Sequence, residues 1–411
     1  MSIYQALGLN PIINVSGSVT RLGGAPMPTA VVDAFRAAAS ECVPLDQLQG
    51  VASRIISELT GAEAGLVTSG AAAALTLGTA AILARCDLRR IEQLPDCTGF
   101  PCEFVIAREQ RNGYDHAVRA AGARLIEVGF HEPVAGSGVR RCEAWEIAAA
   151  FGPQTAGVLY VHDADGRPTL AEVVAEAHAY GLPVLVDAAG ELPPRENLTR
   201  ILATGADLVA FSGGKAIRGP QATGILCGRR ELVGSAALQM LDLDDHFELW
   251  DPPANLIDKS RLRGMPRHGI GRALKVSKEQ IVALLTALRL FADGTYDRER
   301  AEMVRHLERV AASLTGLAAT SRLVVPDDGQ SFPLLEIRLD QTRLGRTAWD
   351  VCRQLRSGSP PVFVGHAHLD HGILVIHPLH LNDERTMILI QRLKGVLKDG
   401  ESMTARSPQT K

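Results

Sequence analysis

Nowhere in the 411 residues does an apolar run reach the roughly eighteen needed to cross a bilayer, so a spanning helix is excluded by length alone. The amino terminus, MSIYQALGLNPIINVSG, lacks the cationic start and apolar middle of a secretion signal, and a cytoplasmic protein is expected. A basic surplus is missing too. The net charge of -3 supplies no global attraction for nucleic acid, and neither nucleic acid nor membrane is an expected partner. Seven cysteines are scattered at spacings that fit no zinc knuckle, and an odd number in a cytosolic setting argues against a disulfide framework. They read as small buried hydrophobes. There is no internal repeat and no low-complexity tract.

What the chain does contain is an alternation. Between residues 65 and 228 the short apolar runs GLVT, EFVIA, RLIEVG, AGVLYV, PVLVD, DLVAF and TGILCG alternate with helical stretches such as AAAALTLGTAAILA, DHAVRAAG, LAEVVAEAHAYG and ENLTRILATGA. This is the pattern of parallel strands joined by crossover helices, and runs apolar throughout predict strands covered on both faces. After about residue 275 two long amphipathic helices follow, then isolated strands (RLVVP, PLLEIRL, PPVFV, GILVIHP) and a last helix, DERTMILIQRLKGVLKDG. The expected division is an amino-terminal segment 1–44 joining the small domain, a large α/β domain 45–285, a smaller α+β domain 286–398 and a disordered polar tail 399–411.

Ligands of open α/β sheets bind beyond the carboxyl ends of the strands, which directs attention to polar residues just after a strand. In VTSGAAAAL, Ser69, Gly70, Ala71 and Ala72 open a helix whose free amides suit a phosphate; an ordinary N-cap at Ser69 explains the same residues. In PVLVDAAGELPP, Asp187 ends a strand and is placed to pair with a buried cationic nitrogen, or simply to form a turn. In FSGGKAIRGPQATG, Lys215 stands among small residues. There, partial desolvation favours the neutral amine that Schiff-base chemistry requires, although a solvated loop lysine is the commoner case. One cofactor accounts for all three together: an aldehyde for Lys215, a pyridinium nitrogen for Asp187 and a phosphate for residues 69–72.

The segments INVSGSVTRLGG, TSGAAAAL, VDAAGELPP, SGGKAIRGPQATG and GRALKVSKEQI occur in the order seen in fold-type I pyridoxal-phosphate enzymes. The chain resembles, within them, the selenocysteine synthase and D-glucosaminate-6-phosphate ammonia-lyase group. The resemblance implies a mainly parallel seven-stranded sheet with helices on both faces plus a smaller α+β domain, pyridoxal 5'-phosphate as cofactor, and a homodimer or higher homo-oligomer. It implies a covalent cofactor link at Lys215, Asp187 as the ring-nitrogen partner, and Ala189 against the ring. Ser69, Gly70, Ala71 and Ser212 are implied as phosphate ligands. Arg111, Tyr114 and His116 are candidates for the other ring face, and Thr20, Arg21 and Arg272 for substrate or interface contacts.

The reaction implied is Cα deprotonation of a small amino acid or amino sugar acid, followed by α,β-elimination to a 2-keto acid and ammonia. Racemisation and β-replacement of the selenium-transferase kind use the same first step. The motif INVSG begins almost at the start of the chain, where selenocysteine synthases carry a tRNA-binding region first, which favours elimination. Relatives tend to have an arginine soon after the PPxxxx strand. This chain reads PPVFVGHAHLDHG there, so a guanidinium clamp is missing at that point and His366 and His368 are the expected substitutes. The same HAHLDH (His366, His368, Asp370, His371) matches a zinc-hydrolase pattern, but no distant ligands follow, and no metal site is expected.

Overall fold

The structure is a computed structural model that describes residues 2–130 and 141–398; the expected tail, 399–411, lies outside the described residues. Its strands are β1 (Ile13–Val15), β2 (Ala64–Thr68), β3 (Glu103–Ala107), β4 (Arg124–Val128), β5 (Thr155–Val161), β6 (Val184–Asp187), β7 (Leu208–Ser212), β8 (Gly224–Gly228), β9 (Ala319–Val324), β10 (Leu334–Leu339), β11 (Val362–Val364) and β12 (Ile373–Ile376). All seven runs expected in the large domain are strands. So are the four expected after residue 275, whereas β1 was not anticipated. Among the described residues no helix is long and apolar enough to cross a membrane.

The chain folds as two compact units, Met27–Asp293 and, together, Met1–Pro26 with Gly294–Lys411. The boundaries therefore fall at residues 26 and 293, where 44 and 285 were expected. Helix packing explains the shift. The helix Thr29–Ala39 lies along the helix Lys278–Ala292, and Lys278 Nζ donates to the carbonyl of Ala38 at 2.7 Å, so both helices stay with the larger unit. The first residues instead feed β1, which pairs in parallel with β11 in the smaller unit.

In the larger unit the sheet order is β2-β8-β7-β6-β5-β3-β4, parallel except for β8, which runs antiparallel to both neighbours. Its inner strands are buried along their length and only the edge strand β4 is half exposed, as continuous apolar runs in a two-sided sheet require. The helix Ala71–Ala84 is apolar on every side because it is buried on every side from Ala73 onward. Gly78 gives it clearance, since a Cβ there would lie 2.9 Å from Leu185 Cδ1 in β6. At the sheet's opposite end the fully buried Asp207 accepts from Val184 N (2.8 Å) and Arg229 Nη1 (3.0 Å) and meets His178 Nε2 (2.9 Å), so the charge is satisfied by structure and has no spare capacity for chemistry.

The smaller unit packs the antiparallel sheet β12-β10-β9 and the β1-β11 pair around one apolar core that includes Val15, Leu335, Ile337, Leu355, Leu374 and Leu389. Its most informative polar residue is His377. The backbone N–H of His377 donates to Val15 O (2.9 Å), its Nδ1 accepts from Leu379 N (3.2 Å), and its ring packs at 4.8 Å against Phe332 with the two planes tilted by 53°. Gly17 lies under the ring with φ +89°, and a Cβ there would sit 2.9 Å from His377 Cδ2. Burial, helped by His380, pushes the His377 imidazole down to about 4. A base depressed in the folded state stabilises the fold fully above its ordinary value near 6.5 and loses that contribution as pH falls through about 4. Unfolding free energy is expected to drop by about 3 kcal/mol across this window. In His377→Gln most of that pH dependence should vanish; denaturant melts at several pH values would show it, and an unchanged slope would refute the assignment.

Candidate active site

Three polar strand ends meet along one edge of the large sheet. β8 begins at Gly224, in register on one side with Thr68, the last residue of β2, and on the other with Ser212, the last residue of β7. Two strand spacings put Thr68 and Ser212 about 10 Å apart with only a glycine between them. A Cβ on Gly224 would lie 2.4 Å from Gly70 C and 2.6 Å from Ala71 N, so the turn into the next helix rests directly on that glycine. Gly70 turns strand into helix with φ +114°, and it is Gly70 that caps the helix Ala71–Ala84, with no capping side chain. The Ser69 hydroxyl is used differently, donating to Leu274 O at 2.9 Å. Fourteen residues of helix thus present first-turn amides with no side-chain acceptor, a ready cradle for an anion.

Asp187 ends β6, in register with Ala210 of β7 and Val161 of β5. Its side chain is 8% exposed and accepts from Ala189 N at 3.0 Å. Burial pushes this carboxyl above the usual range; the Ala189 N–H and the charge of Lys215 pull the other way, and Glu191 adds to the rise. A buried acid in this condition gains most from a cation placed against it.

Lys215 lies in the turn between β7 and β8. The turn is closed by Gly213 N to Thr223 O (2.9 Å), Gly219 N to Gly213 O (2.8 Å) and Arg218 N to Lys215 O (3.1 Å). The glycines are required: a Cβ would lie 2.4 Å from Thr223 Oγ1 at Gly213 and 2.6 Å from Gln221 Cα at Gly214. The turn therefore fixes the lysine's backbone tightly while leaving the residue only partly buried.

Two residues not singled out in the sequence join this edge. His162 follows β5; its N–H donates to Asp187 O (2.9 Å) and its Nδ1 lies 3.0 Å from Glu191 Oε2, with both side chains mostly buried. The available signal was position, a histidine one residue past a strand end in YVHD and a glutamate directly after DAAG.

Of the candidates for the ring's other face, Arg111 is committed to carboxylates, with Nε 2.5 Å from Asp115 Oδ2 and Nη1 on Glu127. Tyr114 and His116 are exposed, the first as N-cap and the second in the first turn of a helix (Asp115–Ala120) tied to Ala71–Ala84 by the Thr76 hydroxyl donating to Ala117 O at 2.9 Å. Arg272 belongs to the larger unit and pairs with Asp242 at 2.6 Å. Thr20, Arg21, His366 and His368 belong to the smaller unit, where Arg21 Nη2 lies 3.2 Å from His366 Nε2. His366, His368, Asp370 and His371 occupy the exposed turn between β11 and β12; among the described residues no group of three or more His, Cys, Asp or Glu is placed to hold a metal ion.

The donor set of the larger unit fits pyridoxal phosphate: uncapped helix amides over a glycine floor for the phosphate, a buried strand-end acid for the ring nitrogen, and one lysine held in a rigid turn for the aldehyde. Because the floor is backbone against backbone, Gly224→Ala is expected to weaken cofactor binding about tenfold or more. Titration of the apoprotein by absorbance would measure it; unchanged affinity would place the phosphate elsewhere.

The Aminotransferase class-V family model matches residues 151–241, the segment that carries Asp187 and Lys215. The chain is 29% identical over 408 residues to a 5'-C-glycyluridine monooxygenase-decarboxylase of Streptomyces sp, covering 96% of this chain and 92% of that protein. It is 28% identical to the D-glucosaminate-6-phosphate ammonia lyase of Salmonella typhimurium (strain 14028s / SGSC 2262), covering 96% and 98%. A solved structure of D-glucosaminate-6-phosphate ammonia-lyase superposes with a TM-score of 0.79 at 28% identity, over 97% of this chain and 98% of the other. The chain has the fold of the fold-type I pyridoxal-phosphate enzymes and is a homologue of D-glucosaminate-6-phosphate ammonia-lyase.

Proposed function

We propose that the protein is a pyridoxal-phosphate-dependent ammonia-lyase that removes the Cα proton of a β-hydroxy amino sugar acid or small β-hydroxy amino acid and expels the Cβ hydroxyl as water, the released enamine then tautomerising and taking up water to give a 2-keto acid and ammonia. The observation that carries this reading is the end-to-end likeness to D-glucosaminate-6-phosphate ammonia-lyase, combined with a lysine and a buried acid at the same sheet edge. When bound, pyridoxal phosphate supplies an electron sink for the charge left as the Cα proton departs.

The chain's own residues would do the rest. The amides at the start of helix Ala71–Ala84 and the Ser212 hydroxyl hold the phosphate. Asp187 keeps a proton on the ring nitrogen, because a buried carboxylate is stabilised by an adjacent cation. Lys215 Nζ holds the cofactor in the resting protein and, once freed, takes the Cα proton. The His162–Glu191 pair braces the backbone behind Asp187.

A homodimer is part of the proposal, supported by the apolar residues Ile3, Tyr4, Leu7 and Leu9, each more than half exposed in the single chain. The likeness to the monooxygenase-decarboxylase supports a second reading, in which the same deprotonated Cα meets dioxygen and the carboxylate leaves. One experiment separates them: the holoenzyme is supplied with a panel of amino acids and amino sugar acids with and without oxygen. Ammonia and 2-keto acid released anaerobically support the lyase; product formation that requires oxygen and releases carbon dioxide overturns it.

A further inference from the structure

The turn that follows Asp187 is closed by hydrogen bonds that carry no charge. Ala188 N donates to Ala210 O at 3.0 Å, Glu191 N to Ala188 O at 3.2 Å, and the Asn197 side chain to Glu191 O at 2.6 Å. Bracing therefore accounts for a contact between His162 and Glu191, but two neutral side chains would brace as well. The residue placed there is an acid. The Glu191 side chain is 22% exposed and the His162 side chain 12%, and among the described residues the imidazole is the one group that meets the Glu191 carboxylate, Nδ1 to Oε2 at 3.0 Å.

Partial burial of a carboxylate costs free energy that a neutral brace would not. A neighbour adds to the cost. Asp187, itself buried, stands four residues earlier in the same turn, and two negative charges so placed disfavour each other. Burial raises the Asp187 carboxyl most; Glu191 raises it further, while Lys215 is the cation that acts the other way. Like charges held together in a poorly solvated place are relieved by a cation that both feel.

His162 ties the two acids together. Its backbone N–H donates to Asp187 O at 2.9 Å, one residue past the Val161–Asp187 register, while its ring holds the Glu191 carboxylate. Among the described residues Nε2 has no hydrogen-bond partner, so the contact with Glu191 is the ring's one hydrogen bond.

We infer that Glu191 and His162 are positioning residues that act through Asp187: Glu191 adds a second negative charge in the turn of the strand-end acid, His162 holds that charge in place, and together they strengthen the site's hold on a cationic ring nitrogen. The inference rests on the pyridoxal-phosphate reading of the site and is independent of which reaction follows.

The test is a binding comparison on the full chain freed of cofactor. Pyridoxal phosphate, and its analogue with carbon in place of the ring nitrogen, are titrated by absorbance into wild type, Glu191→Gln, His162→Phe and His162→Asn. The analogue offers the same aldehyde and phosphate but no ring cation, so the ratio of the two affinities isolates the part of binding that depends on ring charge. That ratio should favour pyridoxal phosphate in wild type and fall about threefold or more in Glu191→Gln and His162→Phe. His162→Asn keeps an N–H donor for Glu191 and should recover the wild-type ratio. An unchanged ratio overturns the inference, whether both affinities fall together, as for a purely structural brace, or neither moves. If neither compound binds wild type, the cofactor reading itself fails and the inference falls with it.

Melting of the cofactor-free protein at pH 7 gives a second readout. Glu191→Gln should be a more favourable change in the presence of Asp187 than in the Asp187→Asn background, because only the first relieves repulsion between the two acids. Additive effects of the two substitutions would show that the acids are not coupled and would overturn the inference.

Discussion

Lys215→Ala is expected to lower turnover by roughly 10²–10⁴-fold or more, because the substitution removes both the group that anchors the cofactor and the base that takes the Cα proton. The backbone around residue 215 is set by Gly213, Gly214 and Gly219 and by three main-chain hydrogen bonds, none of which uses the lysine side chain. The variant should therefore fold, with a circular dichroism spectrum like that of the wild type. Borohydride treatment followed by mass spectrometry should fix cofactor to the wild-type chain and leave the variant unmodified. Retention of full turnover in a folded Lys215→Ala protein would sink the mechanism, since no other lysine is in the turns that meet Asp187 and Gly224.

Asp187→Asn should cost roughly 10²–10³-fold in turnover, the usual scale for removing a charge that a developing transition state relies on. The stability of the cofactor-free protein should move the other way. Its carboxyl is raised mainly by burial, so the folded state favours the protonated form. A raised acid stabilises the fold below its unfolded value and loses that contribution as pH rises through the folded one, so at neutral pH the ionised Asp187 is a burden on the apoprotein. Asparagine keeps an oxygen for the Ala189 N–H and carries no charge. Apo Asp187→Asn should thus melt higher than apo wild type at pH 7, and the gap should close on acidification. A lower melting point at neutral pH would mean that Asp187 is a structural anchor. The expected trade of stability for function is the general signature of a site built to receive a ligand of opposite charge.

The apolar runs placed eleven of the twelve strands among the described residues because each is a continuous stretch of β-branched and small residues bounded by turn formers. β1 escaped because three residues, INV, give no period to read; it exists only because β11 is there to pair with it. The domain limits moved for a similar reason: whether Thr29–Ala39 belongs with one unit or the other depends on the helix Lys278–Ala292, some 240 residues away. Ser69 shows the difference at a single residue. Its place before a helix suggested a cap, yet its hydroxyl points to Leu274 and Gly70 caps instead.

By itself the sequence determined the alternating architecture and the strand ends at which Asp187 and the Lys215 turn stand, because local periodicity and strand-terminal placement are properties of contiguous residues. Only the tertiary structure decided which charges are spoken for. Arg111 and Arg272 are held by Asp115, Glu127 and Asp242, whereas Arg21, unremarkable beside them in the chain, shares a ring with Arg356 from 335 residues further on and makes no ion pair among the described residues. A side chain's availability is set by its neighbours in space, and spacing along the chain does not encode those neighbours.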